Sequence, residues 1–368
     1  MNAKIRVAVL YGGRSGEHEI SLQSAASVLK NLDRSRFEIV PIAIDKEGRW
    51  HKGPLLLPAE IQKSLTIDSH AAEVVLPANP GAMAHMGFDV VFPVMHGPLC
   101  EDGTVQGLLE LADIAYVGCG VLSSAVCMDK EVAKRLIRDA GLPIVPYISV
   151  KSGEWEGNAD TIQSRVTREL GYPCFVKPAN MGSSVGVHKV KSASDFKAAM
   201  KDALQYDTKI LVEKGIEARE IELAVLENPV YGQPALVSIA GEITPTHEFY
   251  SYESKYLDEN GAALALPANI SAAQMKEVQA LAVRIFETLE CEGLARVDLF
   301  LDKNSGQFYF NEVNTLPGFT SISMYPKMWG ASGVGYSELL SRLIDLAIAR
   351  HKRKQKLARE FKSSPATS

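Results

Sequence analysis

The apolar run Ile5–Leu10 stops at a glycine pair, Gly12-Gly13, and apolar residues then recur at Leu22, Ala25, Ala26, Val28 and Leu29, close to helical spacing over Ser21–Leu32. Phe37–Ile44 reads as a second strand and Asp89–Met95 as a further, buried one. Strand–helix–strand alternation folds as a parallel sheet with helices on its faces. Such a sheet binds ligands beyond the carboxyl ends of its strands, where the glycine pair lies. Gly53–Gly87, rich in Pro, Ala and Ser, reads as a long and partly irregular insertion.

The pattern changes after Asp129, which is a good N-cap for a helix through Val132, Leu136, Ile137 and Ala140, closed by Gly141 and Pro143. Short strands are expected at Cys174–Lys177, Val185–Val190 and Lys209–Val212, with a helix near Ala193–Leu204. Strands then dominate at Glu220–Leu226, Ala235–Ala240, Arg296–Leu301 and Gln307–Asn314. Ser271-x-x-Gln274 is a capping box opening an amphipathic helix, and Ser337–Arg350 is another helix running into a Lys/Arg-rich tail. At 368 residues the chain has room for two or three domains. An α/β unit followed by two α+β units is the expected fold class.

Several function classes drop out. With 39 basic against 44 acidic residues, a net charge of −5 is too acidic to hold nucleic acid by phosphate neutralisation alone. No apolar run approaches the roughly 18 residues of a membrane span, and the run near Met1 is too short for a signal-peptide core. Five cysteines without a CxxC pair indicate neither a zinc knuckle nor a disulfide framework, and a reducing cytoplasm is the expected compartment. There is no G-x-x-x-x-G-K-[ST] loop, and Tyr11–Gly16 lacks the G-x-G-x-x-G spacing of a dinucleotide fold.

Four segments could carry chemistry. Glu17-His18-Glu19 puts two carboxylates and a histidine at the start of the first helix; the helix dipole is reason enough for one carboxylate, but not for the whole cluster. Lys177–Val187 is a small-residue loop between strands whose backbone N–H groups could approach an anion, with Lys177 as a point charge; taken alone, it could equally be a flexible hairpin. Lys130 stands in a first helical turn against the dipole, either for a ligand or solvated and offset by Asp129. Arg296, Asp298 and Phe300 share one strand face, as do Glu312 and Asn314 on the next strand. If the two strands pair, Asp298, Glu312 and Asn314 converge as hard oxygen ligands suited to Mg²⁺ on a nucleotide; otherwise they are surface polar residues. Arg296 lies among apolar neighbours, where an unpaired charge would be costly. Thr246–Ala265, aromatic and without clear period, reads as a lid. The basic tail reads as a solvated helix end.

In order, Gly12-Gly13-x-Ser15-x-Glu17-x-Glu19-Ile20-Ser21-Leu22, His96-Gly97, Met128-Asp129-Lys130, Val176-Lys177-Pro178 and Gly182-Ser183-Ser184-Val185-Gly186 resemble the D-alanine–D-alanine ligases. The match continues through Tyr252-Glu253-x-Lys255-Tyr256, Arg296-x-Asp298 and Asn311-Glu312-x-Asn314-Thr315-x-Pro317-Gly318. The resemblance spans nearly the whole chain apart from the tail. It implies an ATP-grasp fold with an N-terminal Rossmann-like domain, divided at residues 1–129, 130–216 and 217–368.

The resemblance also implies roles. ATP would meet Lys130, Lys177, Glu213, Lys214, Ile216, Glu220, Lys255 and Phe300. Asp298, Glu312 and Asn314 would hold two Mg²⁺ (or Mn²⁺). Glu17 would meet the first D-alanine's ammonium, with Ser183 and Tyr256 linking it to the loop and lid. Ser323, beside Met324, would receive the second D-alanine's carboxylate, with His96 nearby, and Arg296 and the Gly318 N–H would stabilise an oxyanion. The implied activity is ATP-dependent joining of two D-alanine molecules through a D-alanyl phosphate, for peptidoglycan precursor synthesis, by a cytoplasmic homodimer. A D-alanine–D-lactate ligase or another ATP-grasp carboxylate–amine ligase is the alternative. The intact Lys255-Tyr256 favours the amide product.

Overall fold

The structure is a computed structural model that describes residues 3–75, 86–245 and 262–358. It contains three sheets. In the first, β1 (Ile5–Gly12), β2 (Phe37–Ile44), β3 (Trp50–Lys52), β4 (Val90–Val94) and β5 (Ala115–Tyr116) lie in the order β3-β2-β1-β4-β5. All neighbours are parallel except β2 and β3. Val7–Tyr11 are buried, as expected of an inner parallel strand covered on both faces. The chain leaves β1 towards β2 on one side and returns to β4 on the other. The carboxyl ends of β1 and β4 therefore flank a topological switch point.

The helix expected from Ser21 begins earlier, as α1 (His18–Asn31), and α2 (Thr104–Leu111) and α3 (Val121–Met128) follow. Asp129 caps α4 (Lys130–Asp139), accepting the N–H groups of Glu131 and Val132. Of the Gly53–Gly87 insertion, residues 76–85 are outside the described set; the rest holds a short 3₁₀ turn at Pro58–Glu60 and a bridge from Glu73 to His51.

The second sheet is antiparallel, with β6 (Tyr147–Lys151), β7 (Cys174–Pro178), β8 (His188–Val190) and β9 (Lys209–Lys214) in the order β6-β9-β7-β8. Around it lie α5 (Ser152–Trp155), α6 (Ala159–Glu169) and α7 (Ala193–Ala203). The strand expected from Val185 starts only at His188. Ser183, Ser184 and Gly186 have left-handed φ of 52°, 60° and 68°, which curls the segment into turns. A Cβ on Gly186 would lie 2.7 Å from the Tyr206 ring, so only glycine fits there.

The third sheet holds β10 (Ala218–Leu226), β11 (Leu236–Val237), β12 (Gly241–Pro245), β13 (Ala262–Ala265), β14 (Leu294–Asp302) and β15 (Phe308–Asn314). Its main order is β13-β12-β10-β14-β15, with β11 pairing β10. The strand expected over Ala235–Ala240 is shorter because Ile239 N–H turns to the Ser332 hydroxyl and Ala240 N–H to the Met275 sulfur. On β10, Ile221, Leu223 and Val225 face a core shared with Ala133 and Ile137 of α4 and with Val278, Ala282 and Ile285 of α8 (Ala272–Thr288). Glu220 and Glu222 face the other way, and the Ser271–Gln274 capping box opens α8 as expected.

The chain then runs through α9 (Met324–Ala331) into α10 (Tyr336–Gln355), which returns to the first sheet. Leu339, Leu340, Leu343, Ile344 and Ala347 of α10 join Val7, Val9, Val90 and Phe92 in one core. The end of α10 is only in part a solvated basic tail: Lys352 and Lys356 are exposed, but three other basic residues are engaged. Arg350 is 4% exposed and donates to the Tyr116 carbonyl at 2.8 Å and the Gly118 carbonyl at 2.5 Å. Arg353 pairs with Glu227 at 3.0 Å and Lys354 with Glu110 at 2.5 Å. Residues beyond 358 lie outside the described set.

Candidate active site

The glycine turn after β1 is built to bring α1 close. A Cβ on Gly12, whose φ is +91°, would meet the Ile44 carbonyl oxygen at 2.1 Å. Gly12 N–H donates to Ser21 Oγ, which donates to the Val94 carbonyl, tying the turn to α1 and β4. The Glu17-His18-Glu19 cluster is split by this geometry. The His18 ring turns inward and donates to the Gly13 carbonyl at 2.7 Å, and Glu19 pairs with Lys46 at 2.9 Å on the surface. Only Glu17 enters the cavity, where Ser183 Oγ donates to its Oε1 at 2.5 Å from the β7–β8 loop.

That cavity, about 220 Å³, is also lined by His96, Arg296, Asn314, Gly318, Ser323 and Met324. His96 is buried; its Nδ1 lies 3.1 Å from the Leu316 carbonyl and its Nε2 3.0 Å from Ser24 Oγ. Burial works to lower the His96 pKa, but hydrogen bonding and charge from Glu101 outweigh it and raise it. Burial raises the Glu101 carboxyl. Ser323 is the N-cap residue of α9, and its Oγ accepts the Thr320 N–H at 3.0 Å. A Cβ on Gly318 would come within 2.8 Å of that Oγ, so a larger residue there would push the Ser323 hydroxyl from its place.

A second cavity of about 880 Å³ opens between the second and third sheets, within the usual range for cofactor-sized ligands. Lys177, Glu213, Lys214, Ile216, Glu220, Phe300 and Asp298 line it. The two cavities share a wall that includes Lys130, Ser183, Glu222, Arg296 and Glu312. Every expected site residue within the described set therefore falls on one of two adjoining cavities. Lys255 and Tyr256 of the expected lid lie outside the described residues.

Strand register sets the shared wall. Glu220 lies opposite Phe300, Glu222 opposite Asp298, Asp298 opposite Glu312, and Arg296 opposite Asn314. The Arg296 guanidinium bonds both oxygens of Asp298, at 2.7 and 2.6 Å, and lies 3.4 Å from Glu222. Burial opposes its charge, but Asp298 and Glu222 outweigh it and push its pKa well up. Lys130 is no solvated lysine: it pairs with Glu312 at 3.1 Å and donates to the Met181 carbonyl at 2.7 Å. Asp129 is engaged elsewhere, with Lys209 at 2.5 Å.

Sequence alternation alone misses part of the site. The pairing shifts between Asp298 and Leu299, so Asn311 is an extra residue on β15. Asn311 and Glu312 consequently both line the larger cavity, and Lys177 Nζ lies 3.5 Å from Asn311 Oδ1. Glu222 sits in an ordinary alternating strand, so nothing local marks it as part of the shared wall.

Two family models match the chain, D-ala D-ala ligase N-terminus over residues 6–119 and D-ala D-ala ligase C-terminus over residues 136–345. The chain belongs to the D-alanine–D-alanine ligase family. It is 55% identical to D-alanine–D-alanine ligase A of Bradyrhizobium diazoefficiens, over 99% of this chain and 100% of the relative. It is 48% identical to D-alanine–D-alanine ligase of Heliobacterium modesticaldum, over 97% of this chain and 98% of the relative. Among solved structures, the D-alanine-D-alanine ligase of Coxiella burnetii superposes with a TM-score of 0.79 at 37% identity, covering 96% of each chain. The VanG D-Ala:D-Ser ligase of Enterococcus faecalis superposes with a TM-score of 0.80 at 37% identity, over 94% of this chain and 100% of that one. The fold is thus that of the ATP-grasp ligases, with the nucleotide-sized cavity between its two antiparallel sheets.

Proposed function

We propose that this chain joins two D-alanine molecules into D-alanyl-D-alanine at the expense of ATP, releasing ADP and phosphate. The observation that carries the reading is the shared wall: a cavity of nucleotide size and a smaller polar one meet at Lys130, Ser183, Arg296 and Glu312. In this reading ATP occupies the larger cavity, with Lys130, Lys177 and Lys214 towards its phosphates and Glu213, Ile216, Glu220 and Phe300 around the nucleoside. Glu17 meets the first D-alanine's ammonium, and Ser183 holds the Glu17 carboxylate in place.

A carboxylate is unreactive towards amines, so the γ-phosphoryl group passes to the first D-alanine's carboxylate, giving ADP and an acyl phosphate. The second D-alanine binds with its carboxylate at Ser323, beside Met324, where the N-terminus of α9 favours negative charge. Its neutral amine attacks the acyl carbon. Arg296 and the Gly318 N–H stabilise the tetrahedral oxyanion, which collapses to the amide and phosphate. Asp298 and Glu312, opposite one another on β14 and β15, and Asn314 beyond them are hard oxygen donors that fit Mg²⁺ or Mn²⁺. Bound there, two such ions would offset the phosphate charge. We assign the lid role to the segment around Lys255 and Tyr256 on its sequence.

Phosphate release and dipeptide formation, measured with D-alanine, L-alanine, D-serine and D-lactate, test the reading. D-alanine dependence with a dipeptide product is expected; ATP turnover independent of D-alanine refutes it. Tyr256→Phe is expected to let D-lactate compete better. If that variant still rejects D-lactate, the lid tyrosine does not govern the choice. No helix among the described residues is long and apolar enough to cross a membrane. A cytoplasmic homodimer completes the proposal, and sedimentation of the purified chain checks its oligomeric state.

A further inference from the structure

Lys134 stands on α4 one turn after Lys130, and its side chain is wholly buried. It lines neither cavity. Its ammonium lies 2.8 Å from Glu213 Oε1 on β9 and donates to the Phe310 carbonyl on β15 at 3.2 Å. The other Glu213 oxygen lies 2.6 Å from Lys177 on β7. One side chain thus joins the two sheets that wall the larger cavity. The backbone closes the same seam, where Ile144 bridges Phe310 and Phe310 N–H donates to the Pro143 carbonyl.

Charge makes this more than a pin. Lys177 alone would neutralise Glu213, yet the buried trio of Lys134, Glu213 and Lys177 carries one excess positive charge. Burial disfavours the Lys134 ammonium and the neighbouring Lys177 charge adds to that, so its pKa is lowered. A whole buried ion group replaced by apolar side chains is often neutral or stabilising, and Lys177 would still compensate Glu213 if position 134 were apolar. An extra cation behind the cavity wall makes physical sense when an anion comes to the front of it.

We propose that Lys134 is a positioning residue of the nucleotide site: it fixes the Glu213 carboxylate between the two sheets and thereby aims the Lys177 ammonium at the nucleotide's phosphates. This rests on the reading that the larger cavity takes ATP. Three groups act on Glu213 electrostatically, Lys134 on α4, Lys177 on β7 and Tyr147 on β6, while Glu312 on β15 acts on Lys134. Burial acts to raise the Glu213 pKa, but the two ammoniums outweigh it and hold it at about 2.

The test uses Lys134→Met, which keeps the volume, and Lys134→Gln, which keeps a donor for the Phe310 carbonyl while removing the charge. ATP binding is measured directly, and KM for ATP and D-alanine by phosphate release. Residues one step behind a ligand commonly carry about tenfold in affinity. Both variants should therefore weaken ATP about tenfold while KM for D-alanine stays within about twofold. Combined with Glu213→Gln, Lys134→Met should add no further loss. Equal effects on both substrates, multiplicative effects in the double variant, or loss of the native melting transition in both single variants each overturn the proposal. Wild-type chain that binds ATP but makes no dipeptide would refute the ligase reading and leave the Lys134 test standing on ATP binding.

Discussion

Replacing Arg350 by methionine should destabilise the chain by about 2–4 kcal/mol. Methionine keeps most of the stem's packing among α10, β5 and the Gly118 loop, so the loss isolates the guanidinium. The wild-type group donates to two backbone carbonyls, of Tyr116 and Gly118, lies 3.4 Å from Glu292 and sits 4.4 Å over the Tyr116 ring. Two charged hydrogen bonds are worth about 3–6 kcal/mol gross, and the carbonyls are left without that partner. Relief of the buried cation's desolvation returns a part of this, which gives the lower net figure. At about 2.1 cal/mol/K of unfolding entropy per residue, the corresponding fall in Tm for a chain of this size is roughly 3–5 °C. Urea and thermal unfolding followed by circular dichroism measure it. The control is Arg342→Met, which breaks an exposed pair with Glu338 on the same helix and should cost less than about 0.5 kcal/mol. A loss at Arg350 no larger than the control's would show that these contacts carry no net weight, and the account of how α10 is fastened would fall.

Three further outcomes are expected. Ser183→Ala, which frees Glu17 from its 2.5 Å bond, should lower kcat/KM for D-alanine by about 10–100-fold with Tm within a degree or so, and steady-state kinetics would show it. Gly12→Ala should prevent soluble folding or cost more than about 3 kcal/mol, because its Cβ would overlap the Ile44 carbonyl at a left-handed φ; a melting curve like wild type would contradict this. The hydrogen bond that His51 donates to Asp45 is the leading influence on the His51 pKa and raises it despite burial. This contribution is full below about pH 6.5 and is lost as pH rises through the raised value. The stability difference between wild type and His51→Gln should therefore shrink from pH 6 to pH 8.5, and a constant difference would refute it.

Part of the candidate site could be read from residue order because those side chains sit on regular elements, whereas His96, Ser183, Gly318 and Ser323 lie outside them and entered through the family resemblance. Alternation on β14 put Arg296, Asp298 and Phe300 on one face, and the hairpin with β15 formed as expected. The Asp129 cap and the Ser271 capping box are local interactions, decided within four residues. What escaped was decided at long range. The bulge that turns Asn311 into the cavity has no local signature, and β12, bounded by Gly241 and Pro245, has strand-breaking residues overridden by pairing with β10 and β13. The helix end at Arg350 reads as solvated from its charges, and nothing local in the Asp129-capped helix marks Lys134 as buried. Their burial comes from Glu213 and from the Tyr116 and Gly118 carbonyls, 79 or more positions away in the chain by subtraction of residue numbers.

The return of α10 to the first sheet bears on how the chain is made. Ile5–Tyr116 leaves the ribosome early, with the inner strands β1 and β4 offering Val7, Val9, Val90 and Phe92 to a helix that is still more than two hundred residues from synthesis. Until Leu339–Ala347 emerge, that apolar face has only the partial cover of Leu22, Ala25, Val28 and Leu29 from α1, and the first sheet cannot complete its core as an isolated unit. The nascent chain should thus remain a client for hydrophobic-surface chaperones until its last helix docks. Fragments cut between β15 and α10 would then behave as sticky, half-covered sheets rather than as a smaller folded domain.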